Sequence, residues 1–518
     1  MKRNLLFIIA FFTCALSFGQ GEIDAYRYSN NDISGTARGQ AMGGAFGALG
    51  GDVTGVAINP AGIGIYRSSE VLANMSLRSS LTSGGNTNQL SNTKFSFDNL
   101  SYVSYYPLVK GSLLSLNFGF NYNRIKNFDQ TYRTSGNASG SKMNTSMTDY
   151  MALSTNGFGE YELQTGNNND PYKYSSAPWL GILGYDGYLI NPIPNSNNQY
   201  ASLLDDGEKV SPSFKVSEKG RVESYDFTIG SNIADKFYWG VTASITDMWY
   251  WMKSSYDEQF DNGGGFNLDN YLETKGSGFQ LKAGVIFKPV DALRIGASYH
   301  SPTWYTLTDY YWAGLTPNGI LADNGNAAGF TETPYPSAST DYRFRTPGSW
   351  TFSAAGVLAT KAIISLDYEM TDYSTMNLKD RDGNDFPDNE YISSDFKNTS
   401  TIRAGFEFRF TSQLSGRLGY AWMQNPYRSS IQSLSDIIVP VGTIPQYVLT
   451  GDVNNFTAGI GFKFTSQFYG DFALVLRTQK DYLYYYPSVN NQNVVSDSFA
   501  GAFTNKMLKG LITLGYRF

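Results

Sequence analysis

Residues 508–518 read LKGLITLGYRF, and this stretch decides the fold. Every second side chain along it is apolar apart from Gly510, whereas the intervening residues include Lys509 and Arg517. Side chains of a β-strand point alternately to its two faces, so the stretch has one apolar face and one small, charged face. Such a strand, ending on an aromatic residue, predicts the closing strand of a membrane barrel. Because an exposed hairpin alternates in the same way, the prediction depends on whether the pattern recurs.

The alternation does recur along the chain. In residues 402–410 the apolar set is Ile402, Ala404, Phe406, Phe408 and Phe410, and the opposite set includes Arg403, Glu407 and Arg409. An unpaired charge facing lipid costs about 2–4 kcal/mol at the bilayer midplane, so the apolar set must face outwards. Short and long connections also alternate strictly, as periplasmic turns and external loops do in outer-membrane barrels.

The pattern predicts an all-β fold, a transmembrane antiparallel β-barrel of about fourteen strands within residues 69–518. The longest external connection is 134–218. The predicted strands are 69–82, 93–108, 113–133, 219–232, 237–256, 272–287, 292–312, 341–358, 362–375, 398–410, 414–424, 452–464, 468–485 and 503–518.

The first twenty residues predict an export signal. A basic start at Lys2 and Arg3 is followed by an apolar run over 5–16 and then by small residues, which is the pattern of a secretory signal peptide over 1–20. A lipoprotein anchor through Cys14 is the competing interpretation. No other stretch is apolar enough for a spanning helix, although the chain has 38 Tyr and 34 Phe among its 518 residues.

The charge and the cysteine content exclude some classes of function. Cys14 is the only cysteine, so the mature chain is expected to have no disulfide and no cysteine-based metal site. The formal net charge is −6 and there is no basic run, which argues against a nucleic-acid partner. Export, aromatic richness and the strand pattern favour the outer membrane of a Gram-negative bacterium. A periplasmic or surface all-β protein is the alternative.

The segment before the first strand has a different character. Residues 36–52 read TARGQAMGGAFGALGGD, with too many glycines for a barrel wall, and Asn59-Pro60 is a turn former. We therefore expect residues 21–68 to form a compact plug inside the lumen. Glycines also recur on the inward faces of the strands, either to relieve strain at bends or to leave room for an occupant. They are Gly119, Gly230, Gly240, Gly284, Gly296, Gly405, Gly419, Gly459 and Gly515.

The glycine-rich run and the Asn59-Pro60-Ala61-Gly62 turn together resemble the FadL/TodX family of outer-membrane transporters for long-chain fatty acids and aromatic hydrocarbons. The resemblance implies that external loops catch a lipophilic molecule and that the barrel holds it. Movement of the N-terminal hatch then releases it, in part sideways at a kinked third strand, where Gly119 lies. The implied hatch residues are Asn59, Pro60 and Ala61, with Gly43, Gly44, Gly50 and Gly51.

The long connection 134–218 contains an unusually apolar run at 179–190. Exposed apolar patches usually mark contact sites. The run either forms the small core of a loop folded over the barrel mouth or builds the groove through which a lipophilic ligand enters. The residues concerned are Trp179, Leu180, Ile182, Leu183, Tyr185 and Tyr188.

A fatty acid needs a cation for its carboxylate, and the inward faces offer several. The lumen candidates are Arg294, His300, Arg403 and Arg409. Inward acids such as Glu369 and Glu407 are expected to pair with most of these bases. His300 is the only histidine, and a lone lumenal histidine is more often a hydrogen-bonded polar residue than a haem ligand.

The sequence predicts no catalytic residue, no metal site and no cofactor. A Ser-His-Asp site would depend on His300, and no GxSxG elbow precedes it. The acidic run 380–388 lacks the sixth-position glycine and the distal glutamate of an EF-hand.

Two functions follow as hypotheses. The first is hatch-gated passive uptake of hydrophobic small molecules, with outer-membrane lipid around the barrel. The second is a barrel that binds proteins or acts as a secretion shuttle at the cell surface, in which case the apolar loops contact a protein partner. A large internal cavity favours the first hypothesis, whereas loops packed over a filled lumen favour the second.

Overall fold

A computed structural model describes residues 21–518 apart from 85–86, 109–110, 138, 167–168, 206, 335–337, 359–360, 433–441, 488, 492–493 and 497. The predicted signal peptide, with Cys14, lies outside the described residues. The barrel strands are β1 (Glu70–Gly84), β2 (Thr87–Pro107), β3 (Leu113–Asn127), β4 (Val210–Ile233), β5 (Phe237–Phe260), β6 (Gly265–Val290), β7 (Leu293–His300), β8 (Ser349–Leu358), β9 (Ala362–Asp372), β10 (Asn398–Arg409), β11 (Leu414–Met423), β12 (Tyr447–Lys463), β13 (Phe468–Tyr484) and β14 (Phe499–Arg517).

The C-terminal strand closes the barrel. β14 pairs antiparallel with β13 on one side and with β1 on the other, in the register Glu70↔Arg517. Backbone hydrogen bonds between Ser69 and Phe518, of 3.0 and 3.1 Å, extend this seam by one residue. The fourteen strands form a closed antiparallel barrel, which confirms the predicted fold class.

The outward faces carry a belt of exposed apolar side chains. Leu418 is 61% exposed, Ile460 56% and Ile512 55%, whereas the charged residues of the inward sets, such as Glu407, are buried. Water would make such a surface unfavourable, so the belt faces lipid. No helix in the described part of the chain has the length and apolar character needed to cross a bilayer.

Several strands differ from their predicted spans at the external side. β4 begins at Val210 and β6 at Gly265, because external loops pack on these strands and prolong their pairing. Two predicted strands are interrupted next to prolines, β7 at Pro302 and β8 at Pro347. Proline donates no backbone hydrogen bond to the sheet, so the pairing stops there and resumes beyond it.

The remaining elements belong to the plug and to the external loops. In the plug lie α1 (Glu22–Ser29), α2 (Ala37–Ala41), α3 (Val53–Ile58) and a 3-10 helix (Pro60–Ile65). The loops contain α4 (Met147–Thr155), α5 (Pro171–Tyr174), α6 (Trp179–Asp186), α7 (Asn389–Asp395), α8 (Ser429–Gln432) and 3-10 turns at Glu160–Glu162 and Tyr373–Thr375. Continuations of the barrel strands and short loop strands are Gln130–Ser135, Ile190–Pro192, Tyr200–Ser202, Trp304–Asn318, Thr331–Glu332, Ala338–Arg345, Asn377–Asp380, Val489–Asn491 and Val494–Ser496.

Candidate functional site: the plugged lumen

The plug is a chain of short helices, each begun by a capping side chain. Thr36 accepts from the Gly39 amide at the start of α2, and Asp52 accepts from the Thr54 amide at the start of α3. These caps satisfy amides that have no partner within the helix. The Thr36 hydroxyl also donates to the Asp52 carboxylate at 2.9 Å, so one hydrogen bond ties the two helices together.

The turns between these helices use the glycine-rich run. Gly43, Gly44, Gly50 and Gly51 all have positive φ, between 57° and 76°. Other residues rarely adopt this conformation. At Gly43 a Cβ would also lie 2.8 Å from the Tyr420 carbonyl oxygen of the wall, so a side chain there has no room.

Asn59 fixes the last turn of the plug to the wall. Its side-chain amide donates to the Gly47 carbonyl at 2.8 Å and to the Val285 carbonyl of β6 at 3.1 Å. Its oxygen accepts from the Ala61 amide at 3.1 Å and so caps the 3-10 helix that begins at Pro60. One buried side chain therefore joins two turns of the plug and one strand.

The inward glycines form the seat of the plug. A Cβ at Gly284 would lie 2.0 Å from the Asn59 side-chain oxygen, and one at Gly240 2.2 Å from the Pro60 carbonyl oxygen. The inward glycines therefore leave room for the plug. The same close approach to the plug holds at Gly119, Gly230, Gly296, Gly405, Gly419 and Gly459, whereas Gly515 makes room for Tyr469 of the wall.

A buried ion-pair network anchors the plug on its other side. Arg38 of α2 pairs with Glu407 of β10 at 2.9 Å. Glu407 also accepts from Arg417 of β11 at 2.6 Å, and Arg417 reaches Asp471 of β13 at 2.5 Å. Every charged group in this ion-pair network has an opposite partner, as buried charges require.

Three of the four predicted lumen candidates hold the plug. Arg294 donates to the Leu49 carbonyl, and His300 lies 2.9 Å from the Ile58 carbonyl oxygen. Arg403 pairs with Glu369 at 2.7 Å, and a Cβ at Gly44 of the plug would lie 3.4 Å from its Cδ. Arg409 lies exposed beside a short turn. None of the four lines an interior cavity described below, so their role towards a ligand stays a prediction.

Three interior cavities lie above the glycine-seated turns. Volumes of about 40 and 180 Å³ share Asp32, Arg78, Lys126 and Arg477 among their lining residues. A third, of about 70 Å³, lies along α1 beside Arg27. Helix α1 thus separates spaces that open towards the same part of the lumen.

The smallest cavity has a strongly basic lining. It contains Arg78, Lys94, Arg124, Lys126, Arg477 and Lys509. Five of these pair with Asp129, Glu223, Asp32 or Asp98 at distances of 2.5 to 3.7 Å. Arg477 has no ion pair within the described residues and bonds only to the Gln479 side chain, at 2.6 Å.

Part of the lining of the 180 Å³ cavity is aromatic and aliphatic. It includes Tyr26 and Ile23 of α1 with Phe128, Tyr132 and Val448 of the barrel. The charged part of the lining contains bases and acids, which include Arg27, Arg78, Lys126, Arg477, Asp32, Asp129, Glu218 and Asp481. Apolar surface beside charged groups suits an amphipathic molecule.

The strand pattern alone places Arg477 and Lys509 on inward faces, but it does not single out Arg78, Lys94, Arg124 or Lys126. A signal for Arg78 exists. Met75 and Leu77 are exposed on the lipid side, so Arg78 falls on the inward set of β1. Its height in the lumen could not be read from this alternation.

The apolar run of the long loop forms α6. Trp179, Leu180, Ile182 and Leu183 are buried in the core of the loops, and the Trp179 ring lies 5.2 Å from that of Tyr311. The Tyr185 hydroxyl donates to Glu160 at 3.0 Å, and Tyr188 is partly buried against the same core. None of the six lines a cavity named above, so a role in ligand capture stays a prediction.

The seam between β2 and β3 opens on the external side. The two strands pair regularly from Pro107↔Ser115 to Asn99↔Asn123, including Gly119, and then only at Asn88↔Arg133. The register with β4 shifts at Arg124/Lys126. The irregularity of the third strand therefore lies there and not at Gly119.

No group of three or more His, Cys, Asp or Glu side chains in the described part of the chain has the arrangement of a metal site. In the acidic hairpin at 380–385 the Asp380 carboxylate accepts from the Asn384 backbone and side chain, both at 2.8 Å.

Helix α1 carries a buried acid that makes its docking depend on pH. Burial, followed by the neighbouring Asp395 and Asp388, raises the pKa of Glu22 from 4.5 to about 10. The docked helix therefore holds a proton that a released helix loses above about pH 4.5. The free energy that favours docking consequently falls as the pH rises from 4.5 towards 10.

We expect Glu22→Gln to hold α1 more firmly above neutral pH, by roughly 1–3 kcal/mol at pH 8. Hydrogen–deuterium exchange of residues 22–29 measures this. Exchange in the wild type should speed up between pH 5 and pH 8 beyond the intrinsic chemical rate, and the variant should lose this excess. The control is Glu390→Gln on α7, whose side chain is exposed. An equal pH response in wild type and Glu22→Gln would contradict the assignment.

A closed barrel with a lipid-facing belt, external loops and an N-terminal plug seated on wall glycines defines a plugged outer-membrane channel. Residues 231–507, more than half of the chain, match the family described as outer membrane protein transport protein (OMPP1/FadL/TodX). The chain belongs to this family. It is an outer-membrane transport protein and not an enzyme.

Two solved structures with TM-scores of 0.52 and 0.50 show the same fold. A Pseudomonas aeruginosa FadL homologue is similar with a TM-score of 0.52 and 13% identity, over 94% of this chain and 99% of that one. A deltaS2 mutant of the TodX monoaromatic hydrocarbon channel has a TM-score of 0.50 and 12% identity, over 93% and 98%. For the P. putida toluene transporter TodX the values are 0.48 and 12%, over 94% and 99%. A comparison with curated proteins gives no match.

Proposed function

We propose that this chain takes up hydrophobic or amphipathic small molecules, such as long-chain fatty acids or hydrocarbons, by passive diffusion gated by its plug. The family and the named cargo of its structural relatives support a lipophilic cargo. The observation that carries the proposal is the interior cavity beside α1, whose lining joins apolar side chains to Arg477 and other charged groups.

The cavity sizes support a closed state of the channel. Sites for drug-sized ligands measure about 300–1,000 Å³, whereas the interior cavity beside α1 is about 180 Å³. Helix α1 fills the space between this cavity and the one of about 70 Å³. Displacement of α1 would join them, so we infer that uptake begins with movement of α1.

Arg477 favours a cargo with an acidic headgroup over a pure hydrocarbon. It lines two of the cavities and has no ion pair in the described residues, whereas Arg78 and Lys126 are paired with acids. Burial of each CH₂ of a tail gains about 0.8 kcal/mol. A carboxylate that meets a guanidinium adds a charge-assisted hydrogen bond.

Two features of the structure support a path for release of the cargo. The plug lies between the cavities and the short-turn end of the barrel, so movement of the Asn59 turn would open a path along the lumen. The seam between β2 and β3 lacks regular backbone pairing at its external end and is bridged there by the Lys94–Asp129 and Arg124–Ser96 contacts. Release of these contacts would offer a sideways path through the wall.

Native mass spectrometry with lipid extraction tests the proposal, on protein purified from its own membrane in mild detergent. We expect a fatty acid to co-purify, and we expect Arg477→Gln to bind added oleate about 10-fold more weakly because a charge-assisted hydrogen bond is lost. Arg343→Gln, an exposed arginine of the external strands, is the matched control. Equal oleate binding by wild type and Arg477→Gln would contradict the assigned headgroup site.

The filled lumen and the exposed loop aromatics favour the alternative hypothesis of a protein-binding barrel. The lumen is largely filled, and the loops expose large aromatic side chains, with Tyr161 75% and Tyr174 72% exposed. A protein partner that co-purifies with a ligand-free barrel would favour this function, particularly if Tyr161→Ser with Tyr174→Ser releases it.

A further inference from the structure

The outer wall carries a cleft where the apolar belt ends on the external side. The belt on β13 and β14 finishes at Leu476 and Leu508, which are 41% and 51% exposed. Directly above them the outward side chains become Thr478 and Lys506, which face each other across the two strands. This change from apolar to polar marks the level of the lipid headgroups.

The cleft has a volume of about 630 Å³ and is the largest cavity described in this chain. We call it the outer-wall cleft and define it by Leu449, Asn454, Lys480, Tyr482, Tyr484 and Thr504. On β12 and β13 the outward set continues into it from the lipid belt, so the cleft is open towards the membrane surface. At its inner side it shares Tyr427, Thr450 and Gln479 with the interior cavity of about 180 Å³.

Unequal strand lengths produce the cleft. β11 ends at Met423, opposite Val453, whereas β12 continues on to Tyr447 and pairs only with β13 there. The register of β12 shifts between Thr450 and Val453, which turns the wall at this level. Asp452 of this bulge accepts from the Trp422 indole at 3.2 Å and from the Asn425 amide at 2.8 Å. These bonds hold the loop after β11 at the edge of the cleft.

In the described part of the chain, two outward lysines at this level have no acidic partner. Lys480 lines the cleft, and Lys506 lies beside it, opposite Thr478 of the lining. Lys480 pairs in register with Thr504, and Thr478 with Lys506, so the two lysines are diagonal neighbours. Diagonal side chains start about 7–8 Å apart, a separation that one phosphate can bridge with two long lysines. Within the described residues neither lysine forms an ion pair, and the Lys480 ammonium lies 5.3 Å from the centre of the Tyr482 ring.

Other outward bases of the wall are arranged in two ways. Arg221 pairs with Glu223 at 3.0 Å and Lys275 with Glu273 at 2.8 Å, whereas Lys219 lies over the Trp251 ring. Without an ion pair in the described residues, the charge of Lys480 and Lys506 is available to a group outside the chain.

We propose that the outer-wall cleft binds the phosphorylated saccharide headgroup of a glycolipid of the outer leaflet. The phosphate lies between Lys480 and Lys506, and the sugar ring lies against Tyr482, with the Asn454 amide in reach of its hydroxyl groups. The acyl chains then run down the belt formed by Leu476 and Leu508. These contacts lie on the outer face of the wall, and the site does not depend on the cargo proposed above.

Binding of lipid A, a bis-phosphorylated disaccharide lipid, to delipidated protein in detergent tests the proposal. We expect Lys480→Ala with Lys506→Ala to weaken binding about 10- to 30-fold, because each lysine near an anionic headgroup contributes separately. Tyr482→Ala should weaken it as well, with both lysines intact. The control is Lys219→Ala with Lys275→Ala, two outward lysines beside Trp251 and Tyr310 on the opposite wall.

Two further ligands test the phosphate contact and the sugar contact separately. Dephosphorylated lipid A and phosphatidylglycerol, which lacks the sugar, should both bind more weakly than lipid A. Equal affinity of wild type, cleft variants and control variant for lipid A would overturn the proposal, and so would phosphatidylglycerol bound as tightly as lipid A. Because the lysines replaced are exposed, the folded fraction, read from the heat-dependent shift on gels, should match the wild type.

Discussion

Replacing Gly240 with alanine is expected to separate the plug from the barrel wall. A Cβ atom there would lie 2.2 Å from the Pro60 carbonyl oxygen and 2.8 Å from the Ala61 nitrogen. Both atoms are backbone, so no flexible side chain can move aside. Overpacking of this kind costs about 1–3 kcal/mol, which would raise the population of released plugs about 10- to 100-fold.

Single-channel conductance in planar bilayers measures this release. Wild-type barrels should remain closed for most of the recording, and Gly240→Ala barrels should open far more often. The control is Gly510→Ala, because a Cβ at this outward position meets only Leu474, at 3.8 Å. If Gly240→Ala channels open no more often than Gly510→Ala channels, the inward glycines do not hold the plug in place.

The barrel could be predicted because its constraints are local. Each strand must present apolar side chains to lipid and polar ones to the lumen, so alternation alone places residues such as Ile512 and Thr513. The external ends of the strands could not be predicted in this way. β4 begins at Val210 and β12 at Tyr447, since packing of the external loops, and not lipid, decides how far those strands pair.

The plug, like the barrel, could be predicted only in part. Its position in the lumen follows from glycines that no wall strand would use, and Asn59 was found from the turn that it starts. Its partners were not found, because they are brought together only by the path of the plug. Alternation places His300 on an inward face, for example, but only the fold shows that it meets the Ile58 carbonyl.

The basic cavity illustrates the limit for binding residues. The strand pattern identifies inward bases, but it does not show which ones the plug covers and which ones line a free space. Arg403 and Arg477 belong to the same class by pattern, but Arg403 is paired beside the plug and Arg477 faces the cavity. The height of a residue in the lumen relative to the plug makes this difference.

Glu407→Gln is expected to release the plug from its other anchor. The substitution keeps the shape of the side chain but removes the charge that pairs with Arg38 of the plug and with Arg417 of the wall. Arg417 keeps Asp471, whereas no other ion pair of Arg38 occurs in the described residues. Breaking a buried pair by removing one partner costs about 3–5 kcal/mol, so the released population should rise about 100-fold or more.

Cysteine labelling can measure this release, because the predicted mature chain contains no cysteine of its own. Ala45→Cys places a thiol in the fully buried turn of the plug, where maleimide reaches it only after release. The labelling rate should rise strongly in Glu407→Gln and stay unchanged in Glu273→Gln, whose partner Lys275 lies on the outer wall away from the plug. If both variants label at the wild-type rate, Asn59 and the glycine seat are sufficient to hold the plug. If Glu407→Gln alone labels faster, the ion pairs hold the closed state, and a ligand that competes for Arg38 could open it.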